Sequence, residues 1–324
     1  MNQVLLRIND LRLDFHTDDG VFKVLDGVSL EIRRGKALGL VGETGCGKSV
    51  TGNAILGLIP KPAGKILAGE ILFEGVDLLQ LPEKEMRKLR GKKISMIFQD
   101  PFTALNPAYT VGDQIGEAIL LHQESGGKQE VVEKTIRIME MVGIPKPAER
   151  LEDYPHQLSG GLRQRVIIAM ALSCNPPLLI ADEPTTALDV TIQAQVLELM
   201  SELNRKAGFS LLLISHDLGI ISQMCDDVSI MYAGSIVETA DMETFFASHQ
   251  HPYSEGLIGS IPRIGSAQEK LQTISGTVPS LVNPPPGCRF HPRCKFTMEK
   301  CRREKPTLRE ITPGHKIACF KVTE

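Results

Sequence analysis

Gly42-Glu43-Thr44-Gly45-Cys46-Gly47-Lys48-Ser49 follows the apolar run Ala37-Leu38-Gly39-Leu40-Val41 and leads into Ser49 to Leu58, which reads as a helix closed by Pro60. Strand, glycine-rich turn and helix in that order, spaced G-x-x-x-x-G-K-[ST], form a phosphate-binding loop. The glycines let backbone N–H groups turn inward around phosphate oxygens, and the helix N-terminus adds positive potential. Lys48 is placed to reach the β- and γ-phosphates, and the Ser49 hydroxyl to ligate Mg²⁺.

The rest of the 324 residues bounds what such a loop can serve. The length suggests about two domains, and the apolar and charged fractions are those of an ordinary globular protein. A net charge of −3 with no dominant basic stretch gives no general attraction to nucleic acid. Met1 to Phe15 carries Arg7, Asp10, Arg12 and Asp14, unlike a secretory leader. No apolar run is long enough to cross a bilayer, so the chain reads as soluble and cytosolic. In that compartment seven cysteines point to metal or catalytic use rather than a disulfide frame.

Outward from the loop, Leu11, Leu13 and Phe15 alternate with Arg12 and Asp14 as in a strand, and Asp18-Asp19-Gly20 marks a turn. Val24 to Ile32, Glu70 to Phe73 and Ile94 to Phe98 read as further strands. Val111 to Met141 reads helical, with Val132, Ile136 and Met139 on one face, and Gly143 and Pro145 end it. This places a helical insertion at about 101–160 of an α/β domain. Leu178 to Ala181 and Leu211 to Ser215 read as buried strands around a helix with Ile192, Val196, Leu199 and Leu203 on one face. Such alternation implies a mostly parallel sheet. The expected division is a nucleotide-binding domain over 1–255 and a proline-rich extension over 256–324.

Two further motifs carry chemistry. The strand ending at Ala181 delivers Asp182 and Glu183 at its carboxyl end, where open α/β sheets bind ligands. Asp182 suits Mg²⁺, directly or through water, and Glu183 suits the water that attacks a γ-phosphate. In Leu158-Ser159-Gly160-Gly161, Ser159 stands at a helix N-cap and the glycines expose the first N–H groups, making a second anion site.

Phosphate loop, LSGG, acidic strand end and a later histidine together resemble the nucleotide-binding subunits of ATP-binding-cassette (ABC) transporters, over about residues 5–255. The resemblance implies an ABC-type P-loop fold: a mostly parallel sheet core with antiparallel strands and a helical subdomain. It also implies a head-to-tail dimer in which ATP on Gly42–Ser49 of one chain is closed over by the counterpart of Ser159-Gly160-Gly161 on the other. Gln99 matches the glutamine that senses γ-phosphate and Mg²⁺ and couples to the membrane subunits. His216 matches the switch histidine, and Ala187-Leu188-Asp189 the loop linking the two composite sites. Val50 stands where many members have Thr, so one hydroxyl contact to the α-phosphate is lost while its backbone N–H remains. Phe15, with Phe22 as the alternative, takes the place of the aromatic residue that stacks on adenine.

His251-Pro252-Tyr253, Ile261-Pro262-Arg263 and Pro286-Gly287-Cys288-Arg289-Phe290 narrow the resemblance to the dipeptide/oligopeptide importers. Phe98-Gln99-Asp100-Pro101, Leu105-Asn106-Pro107 and Tyr154-Pro155-His156-Gln157 point the same way. Members of that branch carry a [4Fe–4S] cluster on four cysteines, so the resemblance implies one on Cys288, Cys294, Cys301 and Cys319, in a small metal-binding extension. From the thiolates alone, a tetrahedral Zn²⁺ fits equally. Cys174 and Cys225 read as core. The implied partners are a related second ATPase subunit, two membrane-spanning permeases and, indirectly, an extracytoplasmic peptide-binding protein. The implied location is peripheral, on the cytoplasmic face of the membrane. Import of nickel or another solute is the alternative within the branch. An ABC ATPase working away from membranes is the alternative outside it.

Overall fold

The computed structural model describes residues 3–100, 104–122, 127–186, 188–261 and 274–323. Ala187, Pro101, Pro262 and Arg263 of the motifs above lie outside them. The chain forms two compact units, one of residues 1–80 with 213–324 and one of residues 81–212.

In the first unit, β1 (Val4–Thr17) pairs antiparallel with β2 (Gly20–Arg33) and with β4 (Gly64–Phe73), which turns into the short β5 (Val76–Asp77). The alternation read from the sequence is realised: Leu11 stands opposite Val28 and Leu13 opposite Leu25, all four buried. β3 (Ala37–Val41) is buried at all five positions, as a strand covered on both faces must be. It runs parallel to β9 (Asp227–Tyr232), beside which β10 (Ser235–Asp241) is antiparallel. α1 (Lys48–Ile55) follows β3 through the glycine-rich loop.

The second unit holds α2 (Glu83–Leu89), β6 (Ile94–Ile97), α3 (Val111–His122), α4 (Lys128–Met141), α5 (Gly160–Leu172), β7 (Leu178–Asp182) and α6 (Val190–Ala207). β6 and β7 are parallel, with Ile94 opposite Leu178. The buried face of α4 is Val131, Thr135 and Met139, whereas Val132, expected inside, is exposed. Thr135 is tolerated there because its hydroxyl donates to the Val131 carbonyl at 2.8 Å. Apolar spacing alone therefore puts Val132 and Ile136 where Val131 and Thr135 stand, while Met139 is buried as expected. From this unit the chain returns to the first along β8 (Ser210–Ser215), buried throughout.

The described tail is built onto the first unit. After α7 (Leu218–Met224), α8 (Met242–Ser248) and α9 (Pro252–Gly259) come α10 (Glu299–Arg303) and the hairpin of β11 (Arg309–Thr312) and β12 (His315–Ile317). β12 adds to the edge of β10, with Ile317 opposite Glu238. Glu238 is a fully buried carboxylate. It accepts the backbone N–H groups of Gln250 (2.9 Å) and His251 (3.0 Å) and lies 2.8 Å from His315 Nε2. Such pairing is what a buried polar group requires. The buried His251 ring accepts the Tyr253 N–H on Nδ1 at 3.1 Å, capping α9.

Burial pushes the His251 imidazole down to about 3, so it stays neutral in the fold while the unfolded chain protonates below about pH 6.5. The stabilisation is therefore full above that value and is lost as pH falls, because the unfolded state binds the extra proton. His251→Asn keeps a capping oxygen without the titration. Between pH 7.5 and 5.5 in urea unfolding, the natural chain should lose about 1 kcal/mol more stability than this variant; equal losses would refute the assignment.

Candidate phosphate-binding site

Within the first unit the phosphate loop is held on every side except its tip. Thr44 and Gly45 are exposed, while Gly42, Cys46, Gly47 and Lys48 are buried, and Glu43, Ser49 and Val50 are half-buried. Gly47 takes φ 107° just before α1, a conformation open to glycine. Gly42 leaves β3 so close to β9 that a Cβ there would overlap the Met231 carbonyl oxygen. The Cys46 carbonyl accepts the Gly234 N–H at 2.8 Å, and Thr51 Oγ1 donates to the Gly47 carbonyl at 3.0 Å. Burial pushes the Cys46 thiol up, so it is a neutral side chain beneath the loop rather than a nucleophile.

Lys48 folds back across the loop. Its Nζ donates to the carbonyls of Gly42 (2.7 Å) and Glu43 (3.1 Å). The ammonium is thus preplaced inside the curve of backbone, where an incoming phosphate oxygen replaces carbonyl partners instead of bulk water. Ser49 follows on the first turn of α1. His216 is exposed at the end of β8, ahead of Asp217, whose carboxylate accepts the Gly219 N–H at 2.7 Å and starts α7. Phe15 is half-buried near the end of β1, opposite Phe22 and Gly64.

Two residues unrecognised in the sequence complete the loop's support. The Tyr253 hydroxyl oxygen accepts the Glu43 backbone N–H at 3.0 Å. Arg293 Nη1 donates to both carboxylate oxygens of Glu43, at 2.9 and 3.2 Å. His251-Pro252-Tyr253 was legible as a motif, but not the target of its phenol. Arg293 lies between two candidate metal cysteines, and its local sequence gives no hint of a partner 250 positions away.

In the second unit Asp182 closes β7 and is buried, and Glu183 turns out of the strand with φ 45°. That left-handed backbone costs a non-glycine residue on the order of 1 kcal/mol or more, and such strain gathers at functional sites. The Glu183 carboxylate accepts the Thr186 hydroxyl at 2.9 Å and the Gln99 side-chain amide at 3.3 Å, both on Oε2. Gln99 and Glu183, separate in the sequence, are thereby brought together, and Thr186 joins them unforeseen. Ser159 caps α5 as expected, its hydroxyl accepting the Leu162 N–H at 3.4 Å, with Gly160 and Gly161 in the first turn. Asp189 caps α6 through the Ile192 N–H at 3.0 Å.

The four tail cysteines share one neighbourhood. Burial pushes the Cys288 thiol up to about 11, and Cys301, Cys319 and Cys294 push it the same way. Burial likewise raises Cys294 and Cys319, with Cys301 adding to both. Even so, among the described residues no three His, Cys, Asp or Glu side chains form a group placed to hold a metal ion. The expected metal-binding arrangement of these cysteines is therefore not present as the side chains stand. Thiol side chains have no mutual attraction that would draw four sulfurs onto one centre. The donor set itself, four thiols on one tail, remains chemically suited to zinc or an iron–sulfur cluster.

Among the described residues no helix is long and apolar enough to cross a membrane. The ABC transporter family model matches residues 25–186, and that of the oligopeptide/dipeptide transporter C-terminal region matches 237–301. The chain is 49% identical to the dipeptide transport ATP-binding protein DppD of Bacillus subtilis, over 98% of this chain and 94% of that one. It is 46% identical to DppD of Escherichia coli over 97% and 96% of the two chains. With the oligopeptide transport ATP-binding protein OppD of Escherichia coli it shares 46%, over 99% and 94%. Among solved structures, the dimeric post-hydrolysis state of the ATP-binding cassette MJ0796 bound to ADP and Pi matches with a TM-score of 0.65 at 25% identity, covering 73% of this chain and 98% of that one. cbiO1 from Clostridium perfringens, part of the transporter complex cbiONQ, matches with a TM-score of 0.64 at 26% identity, covering 76% and 92%.

Gly42→Ala tests the geometry of the loop. The added methyl must displace the Met231 carbonyl or the loop, so nucleotide affinity should fall at least about tenfold, ~1.4 kcal/mol on the binding scale, in a titration of folded protein. Unchanged affinity would show that the close approach of β3 to β9 is not what shapes the loop.

Proposed function

The chain belongs to the ABC transporter ATPases, in their oligopeptide and dipeptide branch, and we propose that it hydrolyses ATP to energise uptake of di- and oligopeptides across the cytoplasmic membrane. The observation that carries the substrate class is near end-to-end similarity to relatives named for dipeptide and oligopeptide transport. It works on the cytoplasmic face with two membrane-spanning permease subunits, a related second ATPase subunit and, indirectly, an extracytoplasmic peptide-binding protein. Residues 1–255 bind nucleotide, with a helical subdomain at about 101–160, and 256–324 form the extension.

Gly42 to Val50 surround the phosphates with backbone N–H groups, Lys48 exchanges its carbonyl partners for phosphate oxygens, and Phe15 stacks on adenine. Ser49, Gln99 and Asp182 are the residues that would hold Mg²⁺, which would neutralise charge on the phosphates. Glu183 takes a proton from the attacking water, and its carboxylate is already oriented by Thr186 and Gln99. His216 reads the γ-phosphate, and Ser159, Gly160 and Gly161 offer the capped helix start to nucleotide on the partner ATPase subunit. Closure on ATP and reopening after hydrolysis then move the permeases through Gln99 and the helical subdomain. In the tail, Cys288, Cys294, Cys301 and Cys319 would be the thiolates that hold a structural [4Fe–4S] cluster, with Zn²⁺ as the alternative occupant.

Glu183→Gln preserves shape and the Thr186 contact but removes the base. ATP hydrolysis by the assembled transporter should fall about 10²-fold or more with nucleotide affinity retained; hydrolysis at the parental rate would remove Glu183 from that role. Protein purified anaerobically should be brown, and Ser at any of the four cysteines should bleach it while ATP binding persists. Colourless protein with one equivalent of zinc would replace the cluster by zinc, and four freely alkylated thiols would refute both.

A further inference from the structure

Glu43 occupies the second position of the phosphate loop and so puts a half-exposed carboxylate, a negative charge, beside the place of an incoming triphosphate. It does not stand alone there. The Arg293 side chain is 5% exposed and aims one nitrogen at both Glu43 carboxylate oxygens. The guanidinium is itself fixed by the Ser275 carbonyl at 2.8 Å, the Ile274 carbonyl at 3.3 Å and the Tyr232 hydroxyl at 3.4 Å, and lies 5.8 Å from the centre of the Tyr232 ring. Tyr232 packs edge-on against Tyr253 and Phe290, with ring centres 4.7 and 5.0 Å away. From that buried cluster Tyr253 reaches the Glu43 N–H. One loop residue is thus held at its main chain by α9 and at its side chain by the segment between Cys288 and Cys294.

We propose that Arg293 and Tyr253 are positioning residues for nucleotide, through which the tail sets the charge and the shape of the phosphate loop. Arg293 cancels the Glu43 carboxylate and draws it off the phosphate path. Tyr253 fixes the turn at which the loop leaves β3. An exposed ion pair would contribute little, but a nearly buried guanidinium with a fixed geometry keeps its partner in place and is screened far less. The inference rests on Gly42–Ser49 being the nucleotide site and adds what governs affinity there.

Isothermal titration calorimetry of the full chain with MgATP tests it in two backgrounds. Arg293→Gln in the natural chain should weaken binding about tenfold, because an uncompensated carboxylate then faces the phosphates; that is ~1.4 kcal/mol. In a Glu43→Gln background the same substitution should change affinity less than about twofold, since no charge remains to cancel. Arg293→Lys, which keeps the charge, should recover most of the loss. Equal losses in both backgrounds would make Arg293 a brace for the tail alone and overturn the proposal, as would no loss in either. Should Arg293→Gln fail to fold, Tyr253→Phe keeps the ring and removes only the acceptor, and unchanged affinity there overturns the Tyr253 assignment. Lys48→Ala separates the two levels. Intact affinity in that variant would defeat the phosphate-site reading itself; lost affinity beside an unaffected Arg293→Gln would defeat only this inference.

Discussion

A loop that offers backbone N–H groups to a phosphate has few of them left to hold itself together, so much of its shape has to be imposed from outside. Here the imposition begins with β3, buried along its whole length, and with Gly42 pressed against the Met231 carbonyl. It continues through the Gly234 N–H on the Cys46 carbonyl, the Tyr253 hydroxyl on the Glu43 N–H and Arg293 on the Glu43 carboxylate. Lys48 meanwhile satisfies the loop's inward carbonyls. Each contact leaves the tip at Thr44 and Gly45 exposed. The rest of the first unit can be understood as the support for that arrangement.

The tail takes part in that support through buried polar contacts. Arg289 is nearly buried and donates to the Lys23 carbonyl at 3.1 Å and to the Ala233 carbonyl beside Gly234. Burial alone would raise Asp26, but Lys305, Arg289 and Arg12 hold it below the usual carboxylate range. Lys305 reaches it at 2.8 Å and Arg289 at 3.4 Å. On the other side of the tail, Glu238 ties the α8–α9 connection to β12 through Gln250, His251 and His315. Removing one member of such a network leaves another charge buried without its partner, which commonly costs several kcal/mol. The tail and the phosphate loop are thus parts of one framework.

What the sequence made legible was whatever is written locally. The phosphate loop, the Ser159 cap and the strand ending at Asp182 each consist of adjacent residues whose spacing carries the mechanism, and each forms where it was expected. Contacts across long separations were not legible: Tyr253 is 210 positions from Glu43, and Gln99 is 84 from Glu183. Thr186 was overlooked because a threonine after an acidic strand end has no signature. The face of α4 was misread because Thr135 can be buried once its hydroxyl is satisfied by its own helix. The cysteine set was legible as chemistry but not as geometry, since spacing says which sulfurs are available and not how they are drawn together.

The phosphate loop and the tail behave as one body, and hydrogen exchange of the full chain with and without MgATP measures that directly. Nucleotide should slow exchange in Gly42–Thr51 and, in the same titration and with the same midpoint, in the segments around Tyr253 and Cys288–Cys301. Protection confined to Gly42–Thr51, with exchange around Tyr253 and Cys288–Cys301 unchanged at saturating nucleotide, would contradict it.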